Sequence, residues 1–264
     1  MATLQFKDEQ ARRLEAIYST ADVRAQREEA LRLLALSPGE AAIDVGSGPG
    51  FLCESMADLV GARGQVLGID ASPDLVELAR RRNRRGWLRY EHGDAVALAV
   101  DDQAFDVAVS SQVLEYVADT DRGLREMHRV LKPGGRVLIV DTEWDAVVWR
   151  SAEPARMAKV LTAWEAHCTD SRLPRTLAPR LRAAGLAVEG VSGFPIIDTT
   201  LAEENYSGGL IVSIVEFLRK QGSVPPEELE AWRADLMALS AKGEYFFGTM
   251  RYMFRARKAG GQLV

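Results

Sequence analysis

The chain has 264 residues, 47% of them hydrophobic, with a formal net charge of −5; that is length and apolar content enough for a sizeable core in one large domain. The acidic balance argues against a nucleic-acid partner, which selects a basic surface. Two cysteines, Cys53 and Cys168, are too few and too scattered for a disulfide framework or a zinc site, so no metal is expected.

In chain order, the opening segment MATLQFKDEQARRLEAIY lacks the apolar region of a signal peptide. No apolar run reaches the length of a membrane span. The expectation is a cytoplasmic protein with no membrane partner. Residues 8–36 read as helical, with Leu14, Ile17, Val23, Ala30, Leu31, Leu33 and Leu34 among charges. Within them STAD, Ser19 to Asp22, marks a break and a new helix start. SPGE, Ser37 to Glu40, is a turn.

Strands and helices then alternate. AAIDV (41–45) is a strand, FLCESMADLV (51–60) a helix and GQVLGID (64–70) a strand. A helix follows from Ser72 as N-cap and Pro73 at the first position to Arg85. LRYEHGDA (88–95) and FDVAVSSQ (105–112) are strands. The helix DTDRGLREMHRVL (119–131) is stopped by KPGG, and RVLIVDTEW (136–144) is the fifth strand. This rhythm predicts a parallel sheet covered on both faces. Past Trp144 the reading is a helix over 146–168, a helix over 174–185 and a strand over 186–198. Mostly helix follows over 202–242, then a final strand over 244–258 with a bulge at Gly248.

The stretch AAIDVGSGPGFL (41–52) carries the chemistry. Gly46, Gly48 and Gly50 alternate after a strand, so a ligand can approach the backbone closely. Dinucleotide loops read G-x-G-x-x-G; here the third glycine comes one position early, and Asp44 stands two residues before the first. A carboxylate there repels a phosphate and favours an ammonium or sulfonium group. The loop has no Walker lysine. Asp70, closing the second strand, can accept from both hydroxyls of a ribose. Asp94, at the end of the third, can accept from an adenine amine. These residues gather at the carboxyl ends of the strands, where open α/β sheets bind ligands.

IDVGSGPG, GID, GDA, FDVAVSSQVLEYVAD and RVLKPGGRVLIVD, spanning about 43 to 141, together resemble the class I S-adenosylmethionine-dependent methyltransferases. The nearest resemblance is to the small-molecule group of ubiquinone and menaquinone biosynthesis. It implies a Rossmann-like α/β fold: a seven-stranded, mostly parallel sheet with an antiparallel last strand and helices on both faces. The domain plan is a helical lid over 1–37, a cofactor-binding core over 38–145, and a helical insertion with the completing strands over 146–264, all one domain. The implied cofactor is S-adenosyl-L-methionine, leaving S-adenosyl-L-homocysteine as product. Asp44, Gly46, Ser47, Gly48 and Gly50 would lie beneath it. Asp70 with Ala71 would meet the ribose, Asp94 with Ala95 the adenine, and Ser111, Gln112 and Val113 the sulfonium and amino-acid end. Tyr18, Gln26 and Arg27 are the lid candidates, with Arg27 or Gln26 reaching the methionine carboxylate. One departure is LEYV, with Tyr116, where many relatives read LEHV.

The implied reaction moves a methyl group to an O, N or C atom of a small aromatic or lipophilic metabolite. Two alternatives stand beside it: an NAD-dependent oxidoreductase and a non-catalytic S-adenosylmethionine-binding module. A general base is needed only if the nucleophile must lose a proton; His167, Asp145 and Tyr206 are the candidates. Glu143, Trp144, Asp145, Trp149 and Tyr206 are expected to line the acceptor pocket. The apolar insertion with Trp144, Trp149, Trp164 and the run Leu210 to Leu218 suits a lipophilic acceptor or, equally, a homodimer surface. The arginine run over 79–89 reads as a solvated helix face away from the strand carboxyl ends.

Overall fold

The computed structural model describes residues 18–202 and 204–260. The predicted helix over 8–36 therefore lies partly outside the described residues, as do Leu14, Ile17 and Glu203. Helix α1 (Ala21–Leu34) begins at the STAD break, where the Thr20 hydroxyl accepts the Val23 N–H at 3.4 Å and satisfies one of the orphan donors of the first turn.

Strand β1 (Ala41–Val45) is buried along its whole length. It is flanked by β2 (Gln65–Asp70) and β4 (Phe105–Ser111), with β3 (Leu88–His92) and β5 (Leu131–Thr142) outside them, all parallel. Helices α2 (Phe51–Val60), α3 (Pro73–Arg82) and α4 (Thr120–Val130) make the crossovers. Strand alternation sends Ile43 and Val45 to the core beneath α4 and α6 (Pro174–Ala183), and Ala42 to the opposite core beneath α1, α2 and α3.

Strand β8 (Phe247–Lys258) runs antiparallel to β5, and β7 (Leu186–Asp198) closes the sheet on the far side of β8. Helix α5 (Pro154–Trp164) precedes β7, and α7 (Tyr206–Gln221) and α8 (Pro226–Ala241) lie between β7 and β8 in sequence. They pack around Trp144, Trp149, Trp164 and Trp232 in a third core.

Four predicted details are corrected. Residues 147–153 are not helical: a single 3-10 turn ends at Ala146, and β6 (Val148–Trp149) pairs with Gly248 and Phe247 and gives the sheet an eighth strand. The β-branched and aromatic run favours extended chain, and helix starts only where Pro154 takes the first position. Gly248 carries no bulge, since the register with β7 is regular there; the shift lies at Val188/Gly190 on β7. KPGG belongs to β5, whose pairing with β4 shifts between Phe105 and Val107. Helix α3 stops at Arg82, because the Asn83 amide turns back to the carbonyls of Arg85 and Leu88.

Among the described residues, no helix is long and apolar enough to cross a membrane.

Candidate functional site

The glycine loop leaves β1 and enters α2. Gly46 and Ser47 donate their N–H groups to the Ile69 carbonyl at 2.7 and 2.9 Å, which ties the loop to β2. Gly46 (φ +82°) and Gly50 (φ +87°) sit in the left-handed region, where a Cβ is strained. The protein itself fills the space beside them. A Cβ at Gly46 would stand 2.1 Å from Val113 Cγ2, and one at Gly50 2.4 Å from the Tyr90 hydroxyl. The sequence reading gave all three glycines to ligand approach; for these two, packing within the chain already demands glycine. Gly48 is different: the nearest neighbour to a Cβ there is the Tyr18 hydroxyl at 3.6 Å.

Asp70 holds the loop by its carboxylate. One oxygen accepts the Gly48 N–H at 2.7 Å, the other the Ser72 N–H at 2.8 Å. Each oxygen keeps a lone pair for a further donor. Burial raises its carboxyl above the usual range, against the pull of those two N–H groups. Ala71, next along, is exposed. Asp44 lies buried beneath the loop and accepts the Cys53 thiol at 3.3 Å. Burial pushes its carboxyl up to about 7, and the charge of Asp70 adds to the rise. Asp94 accepts the Val96 N–H at 3.1 Å, making a turn that leaves Asp94 and Ala95 half-buried at the end of β3.

After β4 the chain turns sharply. Gln112 takes φ +58°, held by its N–H on the Val140 carbonyl at 2.7 Å and by the Thr142 hydroxyl, which donates to its side-chain oxygen at 2.6 Å or accepts from the amide if that is flipped. This turn aims Val113 at Gly46 and lets the Val113 N–H reach an Asp141 carboxylate oxygen at 3.2 Å. Glu115 follows, fully buried, accepting from the Thr142 N–H at 3.3 Å and the Trp144 indole at 3.1 Å. Its backbone carbonyl takes the N–H groups of Thr169 and Asp170. Burial pushes the Glu115 carboxyl up to about 7 and raises that of Asp141. One oxygen of each has no hydrogen-bond partner.

The lid candidates divide. The Tyr18 ring stacks on Phe51 at 6.1 Å and its hydroxyl stands over Gly48; burial pushes its pKa up to about 12. The Gln26 amide donates to Ser111 Oγ at 3.4 Å, and its oxygen accepts from Arg251. Arg27 instead turns over the Phe51 ring and donates to the Tyr18 carbonyl at 3.4 Å. Arg82 covers the same ring, 3.8 Å from its centroid, and donates to the Pro49 carbonyl at 3.4 Å. Part of the arginine run thus returns to the glycine loop, against the reading of a face turned wholly away. Arg81 and Arg85 pair with Glu77 and Asp58 as that reading expected.

The acceptor-side residues are not brought into one pocket. Glu143 is buried and paired with Arg175 at 2.9 Å. Asp145 points outward, paired with the same Arg175 at 2.5 Å, which takes it away from any proton-abstracting position. Trp149 turns into the insertion core, its indole donating to the Tyr245 hydroxyl at 3.1 Å and its ring against Trp232 and Phe247. Trp144 donates its indole N–H to Glu115, and the Tyr206 ring lies beneath the Arg251 guanidinium at 4.9 Å. His167 stacks on Trp164 at 3.7 Å, edge-on to Trp144 at 4.7 Å. Its Nδ1 meets the Trp164 carbonyl at 2.6 Å, so Nδ1 carries the proton and Nε2 is a bare lone pair, buried without a partner. Burial pushes the imidazole pKa down to about 4.

Sequence reasoning missed three residues. Phe51 carries two guanidinium groups over its ring and the Tyr18 ring stacked on it; its place at the helix start was the available signal. Glu115 was passed over inside a motif. Arg251 lies on the buried face of β8 with Phe247, Thr249 and Met253, and a charged residue at that inward position was legible.

The residues fit S-adenosyl-L-methionine. The Ser47 hydroxyl is buried without a partner, the surface above Gly48 carries a phenol rather than a cation, and the nearby charges at the floor are carboxyls, which suits a sulfonium. Among the described residues no cluster of His, Cys, Asp or Glu is arranged to hold a metal ion.

Residues 43–139 match a family described as a methyltransferase domain. The chain is 35% identical over 184 residues to an uncharacterized 37.1 kDa protein in a Streptomyces fradiae transposon, TN4556, covering 67% of this chain and 52% of that one. It is 37% identical over 122 residues to a 2-phytyl-1,4-naphtoquinone methyltransferase of Nostoc punctiforme, covering 45% and 53%. The chain thus spans about half the length of these curated relatives. Among solved structures, phosphoethanolamine N-methyltransferase 2 of Haemonchus contortus, in complex with S-adenosyl-L-methionine, superposes with a TM-score of 0.61 at 17% identity, over 97% of this chain and 58% of that one. That likeness is one of fold, the class I methyltransferase fold, and a fold alone does not fix a reaction.

Proposed function

We infer, from a chain whose residues 43–139 carry a methyltransferase domain within a class I methyltransferase fold, that this protein moves a methyl group from S-adenosyl-L-methionine to an O, N or C atom of a small aromatic or lipophilic metabolite. The cofactor supplies an electrophilic methyl group on a sulfonium. The chain's part is to bind, orient and exclude water.

The observation that carries the reading is the pair of carboxyls at the loop. Asp44 lies beneath it, and Asp70 grips the Gly48 N–H. A dinucleotide pyrophosphate would meet negative charge there; a sulfonium nucleoside meets a complement. In this reading Asp70 holds the ribose diol, Asp94 and Ala95 the adenine, and Ser111 to Val113 the methionine end. Tyr18 and Gln26 close over it as part of a lid over 1–37. The acceptor lies toward Trp144, Glu143 and Tyr206. The naphthoquinone named for one relative makes a bicyclic aromatic acceptor the first class to screen. Exposed Val191 and Ile197 on the outermost strand β7 support a homodimer through that edge, which light scattering after gel filtration would read.

The test is calorimetric titration with S-adenosyl-L-methionine, S-adenosyl-L-homocysteine and NAD in parallel. Heat with the first two and none with NAD is expected. No heat with the sulfonium compound overturns the reading.

A further inference from the structure

Arg251 is 5% exposed, and arginine is almost never buried without a partner charge. Among the described residues no carboxylate makes an ion pair with it. Its contacts are the Gln26 side-chain oxygen and the face of the Tyr206 ring, 4.9 Å from the guanidinium carbon. Its Nε is buried without any hydrogen-bond partner. The nearest acids, Glu115 and Asp141, feel its positive charge and each keeps one buried oxygen without a hydrogen-bond partner, but neither comes within ion-pair distance of it. The site is built, since a hydrogen-bonded amide and the Tyr206 ring fix the guanidinium. Among the described residues no ion pair completes it, and its Nε faces no acceptor.

We propose that Arg251 holds a carboxylate of the methyl acceptor, carried on an apolar ring. Topology favours the acceptor over the cofactor's own carboxylate. In the sheet β8 lies two strands beyond β4, roughly 10 Å at the usual spacing, and the cofactor residues sit on β1 to β4. Gln26 spans the gap, donating to Ser111 on the cofactor side and accepting from Arg251 on the other. On one side it meets the Tyr206 ring, and along the same face of β8 its neighbours are buried Thr249 and Met253. A guanidinium in such a place offers paired donors to a carboxylate, and would select acceptors that carry one.

The inference rests on the methyltransferase reading for what lies beside it, and the experiment separates the two. Wild type, Arg251→Lys and Arg251→Met are titrated with S-adenosyl-L-homocysteine. Each is then titrated, with that compound present and absent, with 1-hydroxy-2-naphthoate and with 1-naphthol, the same molecule without the carboxylate. Wild type is expected to bind the naphthoate at least about tenfold more tightly than the naphthol, as a charged hydrogen bond allows. Arg251→Met should lose that preference, Arg251→Lys should keep part of it, and homocysteine-product affinity should stay the same in all three. A naphthoate that does not bind, or binds wild type no better than naphthol, overturns the proposal. So does an Arg251→Met variant that keeps naphthoate affinity, or one that loses product affinity instead, which assigns the anion to the cofactor. Failure of wild type to take S-adenosyl-L-homocysteine sinks the methyltransferase reading alone, and the naphthoate comparison without it still decides Arg251. If Arg251→Met does not fold, wild type and Arg251→Lys carry the comparison.

Discussion

The side chain of Val113, in the turn after β4, stands where a side chain at Gly46, in the loop after β1, would have to go: a Cβ there would lie 2.1 Å from Val113 Cγ2. Two loops of the ligand-binding edge are thus locked together by the absence of one carbon. Gly46→Ala adds this clash to the strain of φ +82°, and should cost about 1–3 kcal/mol for the backbone alone. Val113→Ala in the same chain should restore part of the loss, with a coupling of about 0.5–3 kcal/mol in a double-mutant cycle of denaturation midpoints. Strict additivity would mean that the two loops do not touch.

Asp70 holds the glycine loop and, in the proposed reading, the ribose as well. Asp70→Ala strands the N–H groups of Gly48 and Ser72. Affinity for S-adenosyl-L-homocysteine should fall by about 1–3 kcal/mol, and the melting temperature should fall with it. Asp70→Asn keeps one acceptor oxygen, so it should recover part of the stability and less of the affinity. Unchanged titration curves for both variants would remove Asp70 from the site.

Asp44 makes stability and binding depend on pH in opposite senses. Its carboxyl is raised by burial from 3.8 to about 7. Below 3.8 both folded and unfolded chains hold the proton, and this stability is fully present. Between 3.8 and 7 the unfolded chain ionises first, and stability falls by on the order of 4 kcal/mol before levelling off above 7. Asp44→Asn should flatten that part of the melting curve against pH. A sulfonium ligand prefers the ionised carboxyl, so affinity for S-adenosyl-L-methionine should rise with pH through 7, more steeply than for the uncharged thioether product. Parallel pH profiles for the two compounds would separate Asp44 from the sulfonium.

His167 should stay neutral across the physiological range. Its pKa is pushed down from 6.5 to about 4 by burial. As pH falls below 6.5 the unfolded chain takes up a proton that the folded chain refuses, and stability declines toward pH 4. The imidazole resonances should show no titration between pH 5.5 and 8 by nuclear magnetic resonance. A midpoint near 6.5 would mean that the ring is not enclosed by Trp144 and Trp164 as the structure has it.

Trp149 serves packing. Trp149→Phe should cost about 1 kcal/mol through the lost hydrogen bond to Tyr245, while the affinities for cofactor and for naphthoate stay as in wild type. A selective loss of acceptor binding would return Trp149 to the pocket.

The β/α half was legible because its signals are local. Alternation of short apolar strands with helices, Ser72 and Pro73 at a helix start, and glycines after β1 each act within a few residues. The structure bears them out over 41–142 with boundary changes of a few residues. The segment after Trp144 was harder for a physical reason. Val147, Val148 and Trp149 suit strand or buried helix equally by pattern, and only the presence of β8 alongside, pairing Val148 with Gly248, decides between them.

By itself, the sequence determined the parallel sheet, the placing of the glycine loop at the carboxyl edge of its strands and the acidic character of the floor beneath that loop, since those follow from hydrophobic period and from the charge of Asp44 and Asp70. Only the tertiary structure decided why Gly46 and Gly50 are glycine, that Gln26 rather than Arg27 turns inward, and that Arg251 lies buried with no ion pair among the described residues. Those are relations between side chains 40 or more positions apart. No local propensity encodes them, because they exist only once the packed strands have brought distant segments within a few ångströms of each other.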